Sequence, residues 1–481
     1  MLCKLPARQA TPALWASILP VGVLLIAFIV IIIAMGPQAI SDYSQVTLLG
    51  SAALAFVLAL SQRSLTRRSL RVGLSRSARQ ILPAVPMLIC IAALATTWML
   101  AGVVPTLIDY GLQLLNPHWF LLTTCAVCSV VSVLTGSSWS TIATIGVAFM
   151  GIGSVMGYSE GWVAGAVISG AYFGDKVSPL SDTTVVASST CGVDLFTHIR
   201  YMMITTVPAM GLALIVFGLK GWLSDAATVS GSLEMIDGLR ATFNITPWTL
   251  IIPAVTISLI VMRVNTLLVL AVSALLGAVG IYVFQPDMNM SLMEMASNVW
   301  YGYTNTSGVE AVEVLTSTGG ILGMMPVIFL VLSALMFGWM LISTAMLHTI
   351  TERLTKGLRR PTSIIGSTLV SGIVLNSCTA DQYLSLIISG NMFRNVFRRS
   401  RLEDKLLSRT IEDGVSVTSP LIPWSSCGVT QATVLGVPTL TYLPYCVFNY
   451  LTPVMSMVVI WTGYKVRKGV RGCATLRTSR A

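Results

Sequence analysis

Charge is what this chain has least of. Asp, Glu, Lys and Arg make up 10% of its 481 residues and apolar residues 54%, with a mean hydropathy of +0.81; soluble domains carry about 25% charge. A soluble globular protein is excluded. Histidine is scarce too: His118, His198 and His348 share no metal-ligand spacing and are expected at interfaces. Nine cysteines follow no disulfide framework. Cys125 and Cys128 form a C-x-x-C, but within an apolar run, where helix packing is expected rather than redox chemistry. No Gly-x-Ser-x-Gly element occurs. The Gly-x-Gly-Asp element of intramembrane aspartyl proteases is incomplete, because Tyr172 stands where the first glycine should be before Phe173-Gly-Asp175. Neither an enzyme nor a cofactor is expected.

What the chain has instead is membrane-length apolar runs. The net charge of +10 comes from clusters at Arg63–Arg79, Arg353–Arg360, Arg394–Arg409 and Lys465–Arg480. Stretches 221–247 and 285–320 are acidic, and the second has no Lys or Arg. This is positive-inside asymmetry, with lipid as the partner and no nucleic acid. The run 14–35 is too long for a signal-peptide core of about 7–15 residues, so it is read as a retained first span.

Charge and hydropathy together predict an all-α polytopic membrane protein with about ten crossings and two re-entrant hairpins. Residues 1–13 and the basic tail 463–481 are cytoplasmic, and 221–245 is a periplasmic loop. The first repeat, 14–220, contains a hairpin at 119–157 and a discontinuous crossing at 161–190, broken near Pro179. The second, 246–462, contains a hairpin at 362–393 and a discontinuous crossing at 410–436, broken at Pro420 and Pro423. The halves have opposite orientation, an inverted-topology repeat of the kind found in secondary transporters.

Asp175 and Asp413 sit in these breaks, and charge at bilayer depth marks an ion or substrate path by default. Carboxylates, hydroxyls and unwound carbonyls can replace the water shell of a small cation such as Na+. The candidate cation and proton ligands are Asp175, Asp182, Asp381, Asp413, Ser178, Thr183, Thr184 and Ser419; the hairpin tips add Thr135, Ser137, Ser138, Asn376 and Thr379. Asp175 and Asp413 are expected to face one site from both sides. Asp182 could instead cap the helix after Pro179, Glu412 could pair with Arg409, Lys176 could be a built-in counter-ion, and Asp109 is expected to be solvated near the outer interface.

The stretches Thr135-Gly-Ser-Ser-Trp139, Gly170–Thr184, Asp194–Arg200, Asp381-Gln-Tyr383, Ser408–Asp413, Ser419–Trp424 and Leu435–Thr439 resemble the NhaC-type sodium/proton antiporter family, over about residues 80–462. The resemblance implies secondary transport in the bacterial inner membrane, with Na+ and H+ as the exchanged ions. It also implies a transport part carrying the hairpins and a scaffold that often dimerises, so a homodimer is one expectation. Some relatives resemble malate/lactate exchangers, which makes a small organic acid or an amino acid the alternative cargo. Two positions depart from the family pattern: Val185 replaces an asparagine, and Ala380 a glycine.

Overall fold

The computed structural model describes residues 12–36, 39–65, 67–224, 237–262, 264–305, 312–313, 316–355 and 360–463. Residues 1–11, 225–236 of the expected periplasmic loop, Arg263, and the basic tail beyond Gly463 lie outside the described residues. Among the described residues there is no strand, only an isolated bridge between Tyr303 and Thr318. Among the described residues, eight helices are long and apolar enough to cross a membrane, ten if each of two bent pairs counts as one span. Ile26, Ile33 and Val46 are more than half exposed on the outer helices, as a lipid-facing surface requires. The protein is an all-α polytopic membrane protein.

The first half runs α1 (Leu14–Met35), α2 (Ala39–Ser61), α3 (Arg67–Leu100) and α4 (Val103–Leu114). At the left-handed Gly102 the chain turns by 66° between α3 and α4. Next come α5 (Phe120–Thr135), α6 (Ser138–Val155), α7 (Glu160–Val177), α8 (Asp182–Cys191) and α9 (Leu195–Leu223). A π-helical turn at Ile142–Gly146 lies inside α6. Asp194 caps α9; its carboxylate accepts from the Thr197 N–H and hydroxyl at 2.9 and 3.0 Å, which holds its pKa below the usual carboxylate range.

The second half runs α10 (Ile251–Val261), α11 (Thr266–Phe284), α12 (Leu292–Tyr301), α13 (Met325–Ser343) and α14 (Met346–Thr355). It continues through α15 (Pro361–Thr379), α16 (Gln382–Arg399), α17 (Asp404–Gly414), α18 (Ser426–Leu435) and α19 (Val447–Trp461).

The two hairpin tips resemble each other at the level of single hydrogen bonds. Between α5 and α6 the left-handed residue is Gly136, and Ser137 caps α6 by accepting from Ser140 N–H. Between α15 and α16 the left-handed residue is Ala380, and Asp381 caps α16 by accepting from Leu384 N–H. The Thr135 hydroxyl donates to the Ser137 carbonyl at 3.3 Å and meets Thr141; the Thr379 hydroxyl donates to the Asp381 carbonyl at 3.1 Å and meets Ser385. The other two breaks match as well. Ser181 caps α8, which ends at left-handed Gly192, and Ser425 caps α18, which ends at left-handed Gly436.

Unwound backbone inside a membrane protein needs partners. Ser178 donates to Val133 O at 2.8 Å, Asn449 to Val417 O at 2.7 Å and Asn376 to Val415 O at 3.2 Å.

Each broken helix leans on the first arm of its own hairpin through glycine. A Cβ at Gly170 would lie 2.3 Å from Cys125 O and 2.9 Å from Cys128 Cβ, so the C-x-x-C cysteines are packing residues here. A Cβ at Gly414 would lie 3.0 Å from the Leu369 backbone. Gly170→Ala should destabilise the protein by about 1–3 kcal/mol through overpacking, read as a lower Tm in detergent. Gly22→Ala, with nothing within 4 Å, should leave Tm unchanged, and equal Tm values for the two variants would refute the close packing of α5 and α7.

Asp109 is not solvated as expected. Arg240, ahead of α10, reaches over it, and its Nε and Nη2 donate to the carboxylate at 3.1 and 3.2 Å, while Gln113 donates at 3.1 Å.

Candidate functional site

The helix breaks bring four first turns to one place. Ser138 of α6, Asp182 of α8, Gln382 of α16 and Ser426 of α18 all line a cavity of about 680 Å3. Asp175, from the last turn of α7, and Asp381 complete its polar side. The lining also includes Met87, Ile260, Val264, Asn265, Val269, Val331 and Leu335, apolar except for Asn265. Among the described residues, the lining includes Asp175, Asp182 and Asp381 but no Lys, Arg or His.

The three carboxylates have different settings. Asp182 lies in the first turn of α8, where the N-terminal dipole favours an anion; Ser181, not Asp182, is the cap, and Asp182 is left exposed to the cavity. Asp381 Oδ1 accepts from Leu384 N–H at 2.7 Å, so the cap occupies one of its oxygens. Asp175 is at the other polarity, in the last turn of α7, where carbonyl ends disfavour an anion and favour a cation. Its Oδ2 accepts from Ser138 Oγ at 2.8 Å, so the tip of one hairpin is tied to the broken helix.

Several tip and break hydroxyls turn inward to the protein. Thr135 and Thr379 hold their own tips, Ser178 holds Val133 O, and Asn376 holds Val415 O. Ser137 lines the cavity and caps α6. Ser419 is fully buried, its carbonyl accepting from Ser425 Oγ at 2.7 Å. Val185 is half exposed and is not among the residues lining the cavity. No group of three or more His, Cys, Asp or Glu forms a metal-holding cluster among the described residues, so a cation here would draw on hydroxyls and backbone carbonyls as well.

Asp413 does not share the cavity with Asp175. It is fully buried and ion-paired with Lys176, and its Oδ2 accepts from Thr205 Oγ1 at 3.2 Å. Consecutive residues on a helix point about 100° apart, so Asp175 faces the cavity while Lys176 faces away, toward α9 and α17. Lys176 is thus a counter-ion for Asp413.

Glu412 does not pair with Arg409 as expected. Glu412 Oε2 lies 2.9 Å from His198 Nε2, and its Oε1 accepts from Thr183 and Thr184 at 3.4 and 3.2 Å. Arg409 points one residue further along α17, 3.9 Å from Asp413, with its face over the Tyr201 ring. His198, expected at an interface, is fully buried; His118 and His348 are exposed. Composition and spacing gave no reason to single out His198 or Glu412. The one signal was that both fall inside the stretches carrying the family resemblance, Asp194–Arg200 and Ser408–Asp413.

Comparison with known proteins shows the family. The pattern of the Na+/H+ antiporter family matches residues 7–190 and 170–464. The chain is 36% identical over 382 residues to the Na+/H+ antiporter NhaC of Alkalihalophilus pseudofirmus, covering 79% of this chain and 82% of that one. It is 36% identical over 386 residues to the malate-2H+/Na+-lactate antiporter of Bacillus subtilis, covering 79% and 81%. It is 33% identical over 465 residues to the arginine/ornithine antiporter ArcD of Halobacterium salinarum, covering 95% and 94%. The chain belongs to the Na+/H+ antiporter family.

Proposed function

We propose that this protein is a secondary active transporter that exchanges sodium for protons across the bacterial inner membrane by alternating access, with both termini cytoplasmic. The observation that carries this reading is a cavity lined by Asp175, Asp182 and Asp381 and, among the described residues, by no basic side chain. Asp175 is the central group, because a carboxylate in a partly dry site takes either a proton or a cation. The two halves, repeated bond for bond at their tips, supply the two sides of the alternation. Asp182 and Asp381 set the negative potential around Asp175, and Ser137 and Ser138 offer oxygens close by.

A second reading is exchange of a small organic acid or amino acid, coupled to the same ions. It draws on the four helix first turns that line the cavity, since free N–H groups there bind carboxylates. A cavity of about 680 Å3 also has room for such a solute. The relatives named for malate, lactate, arginine and ornithine transport keep this reading open.

Proteoliposomes with an imposed pH gradient separate the two. Sodium alone should dissipate the gradient, with no organic solute present. Silence until malate, lactate or arginine is added would replace the first reading with the second. Silence under every condition would remove both.

A further inference from the structure

A second cavity, of about 760 Å3, continues along the same helices as the first. On α3, Met87 lines the first cavity and Ile91 the second; on α6, Ser140 lines the first and Ala143 the second. At 1.5 Å per residue, the cavities are only about 6 Å apart along α3 and about 4.5 Å along α6. The π-helical turn of α6, Ile142–Gly146, begins in that gap, and such turns recur at functional sites. Val331 on α13 and Ser426 on α18 line the first cavity, while Met324, just ahead of α13, and Thr433 line the second.

An apolar layer separates the two. Leu88, Ile328 and Val429 are buried in one cluster. Ile328 falls between Met324 and Val331, and Val429 between Ser426 and Thr433, on the same helix faces. The cavities also point to opposite ends of α11. The acidic stretch 285–320, outside by the positive-inside rule, follows the end of α11, and its residues 317–320 line the second cavity. Val264 and Asn265, ahead of the start of α11, line the first.

We infer that the second cavity is the outer half of the transport path, an entry site for hydrated monovalent cations drawn in by Glu160. Leu88, Ile328 and Val429 close it from the Asp175 cavity in this structure. The inference rests on the sodium/proton reading and on the orientation that the charge pattern implies.

Glu160 is the one ionisable side chain in this lining among the described residues. It is exposed in the first turn of α7, where the helix dipole favours an anion. Two helices also end here with their carbonyls, α6 at Val155 beside Ser154, and α18 at Leu435. Such ends favour cations. The matching end of α8 is closed: Arg394 Nη2 donates to the Cys191 carbonyl at 3.4 Å and lies over Gly192. At Gly436 an added Cβ would meet nothing within 4 Å. One carboxylate and scattered hydroxyls are too few oxygens to replace a hydration shell, so this cavity gathers cations with their water and leaves stripping to the Asp175 cavity. The apolar layer offers a cation no ligand, so passage requires a conformer in which the layer parts.

The test compares right-side-out with inverted membrane vesicles. Val147 and Met150 line the second cavity and Met87 the first. A charged, membrane-impermeant methanethiosulfonate should label Val147→Cys from outside only and Met87→Cys from inside only. The wild type gives the background, since its described cysteines are buried except the half-buried Cys90. Labelling Val147→Cys should slow sodium/proton exchange at least tenfold. If Val147→Cys does not fold, Met150→Cys carries the same test. Glu160→Gln should raise the KM for sodium supplied outside by about tenfold, the low end of what a charged cleft adds to local cation concentration, and leave the KM for sodium supplied inside unchanged. The inference is overturned if Val147→Cys and Met87→Cys react from the same face, or if Val147→Cys reacts from neither. Labelling that leaves exchange intact, or a Glu160→Gln variant whose outer KM matches the wild type, overturns it too, with sodium/proton exchange still standing. A wild type with no sodium-driven flux removes the sodium/proton reading instead, and the sidedness of labelling then decides the inference alone.

Discussion

Asp175→Asn is expected to lower sodium-driven proton exchange by at least about 100-fold, the scale of losing a group that must both hold and release a proton. The change is nearly isosteric. Ser138 Oγ can still donate to the amide oxygen in place of the carboxylate it now meets at 2.8 Å, so the hairpin tip stays tied to the broken helix and Tm should hold. The charge is lost at the one lining carboxylate among the described residues that sits beside a helix C-terminus, where the carbonyl ends favour a cation. In the wild type, protons compete with sodium, so the apparent KM for sodium should rise as pH falls; in Asp175→Asn that dependence should vanish with the activity. Asp381→Asn should cost less, about tenfold, because asparagine caps helices as well as aspartate does and α16 keeps its start. Transport in vesicles checks the order. Asp175→Asn with rates near the wild type would remove Asp175 from the centre of the site.

The second large effect falls on the fold. Lys176→Met should destabilise the protein by about 3–5 kcal/mol, because it leaves the Asp413 carboxylate buried without its ammonium partner. Arg409 at 3.9 Å is the only other cation ion-paired to Asp413 among the described residues, and its Nε is not hydrogen-bonded to it. Removing both charges should recover much of the loss, since an apolar pair of similar volume is often as stable as the ions it replaces. Thermal unfolding of Lys176→Met, Asp413→Leu and the double variant closes the cycle. The two single variants should lose far more than the double. Simple additivity would mean that the buried pair contributes nothing as a pair.

The helix breaks were legible because glycine and proline announce them. Gly136, Pro179 and Pro420 interrupt apolar runs, and the hydroxyl and acidic residues around them have no reason to lie at membrane depth unless they are used. Asp175, Asp182, Asp381, Ser137 and Ser138 could be picked out on that ground, and they do converge on one cavity. The partnership of Asp413 was not legible. Sequence gives spacing along a helix, but which face meets the cavity depends on how α7, α9 and α17 rotate against one another. The same limit hid Glu412 and His198, whose bond joins residues 214 positions apart. Asp109 was misplaced for a related reason: Arg240 covers it from a segment 131 positions away.

The two hairpin tips share their bonding but not their left-handed residue. Gly136 takes its φ of 68° freely, whereas Ala380 is held at 54°. For a residue with a Cβ that backbone costs about 1 kcal/mol. Any stage of the cycle that lets Ala380 return to ordinary helical angles is thereby favoured about fivefold in population. The second tip thus carries a built-in preference among conformers that the first lacks, and the time spent facing each side of the membrane need not be equal even with no ion bound.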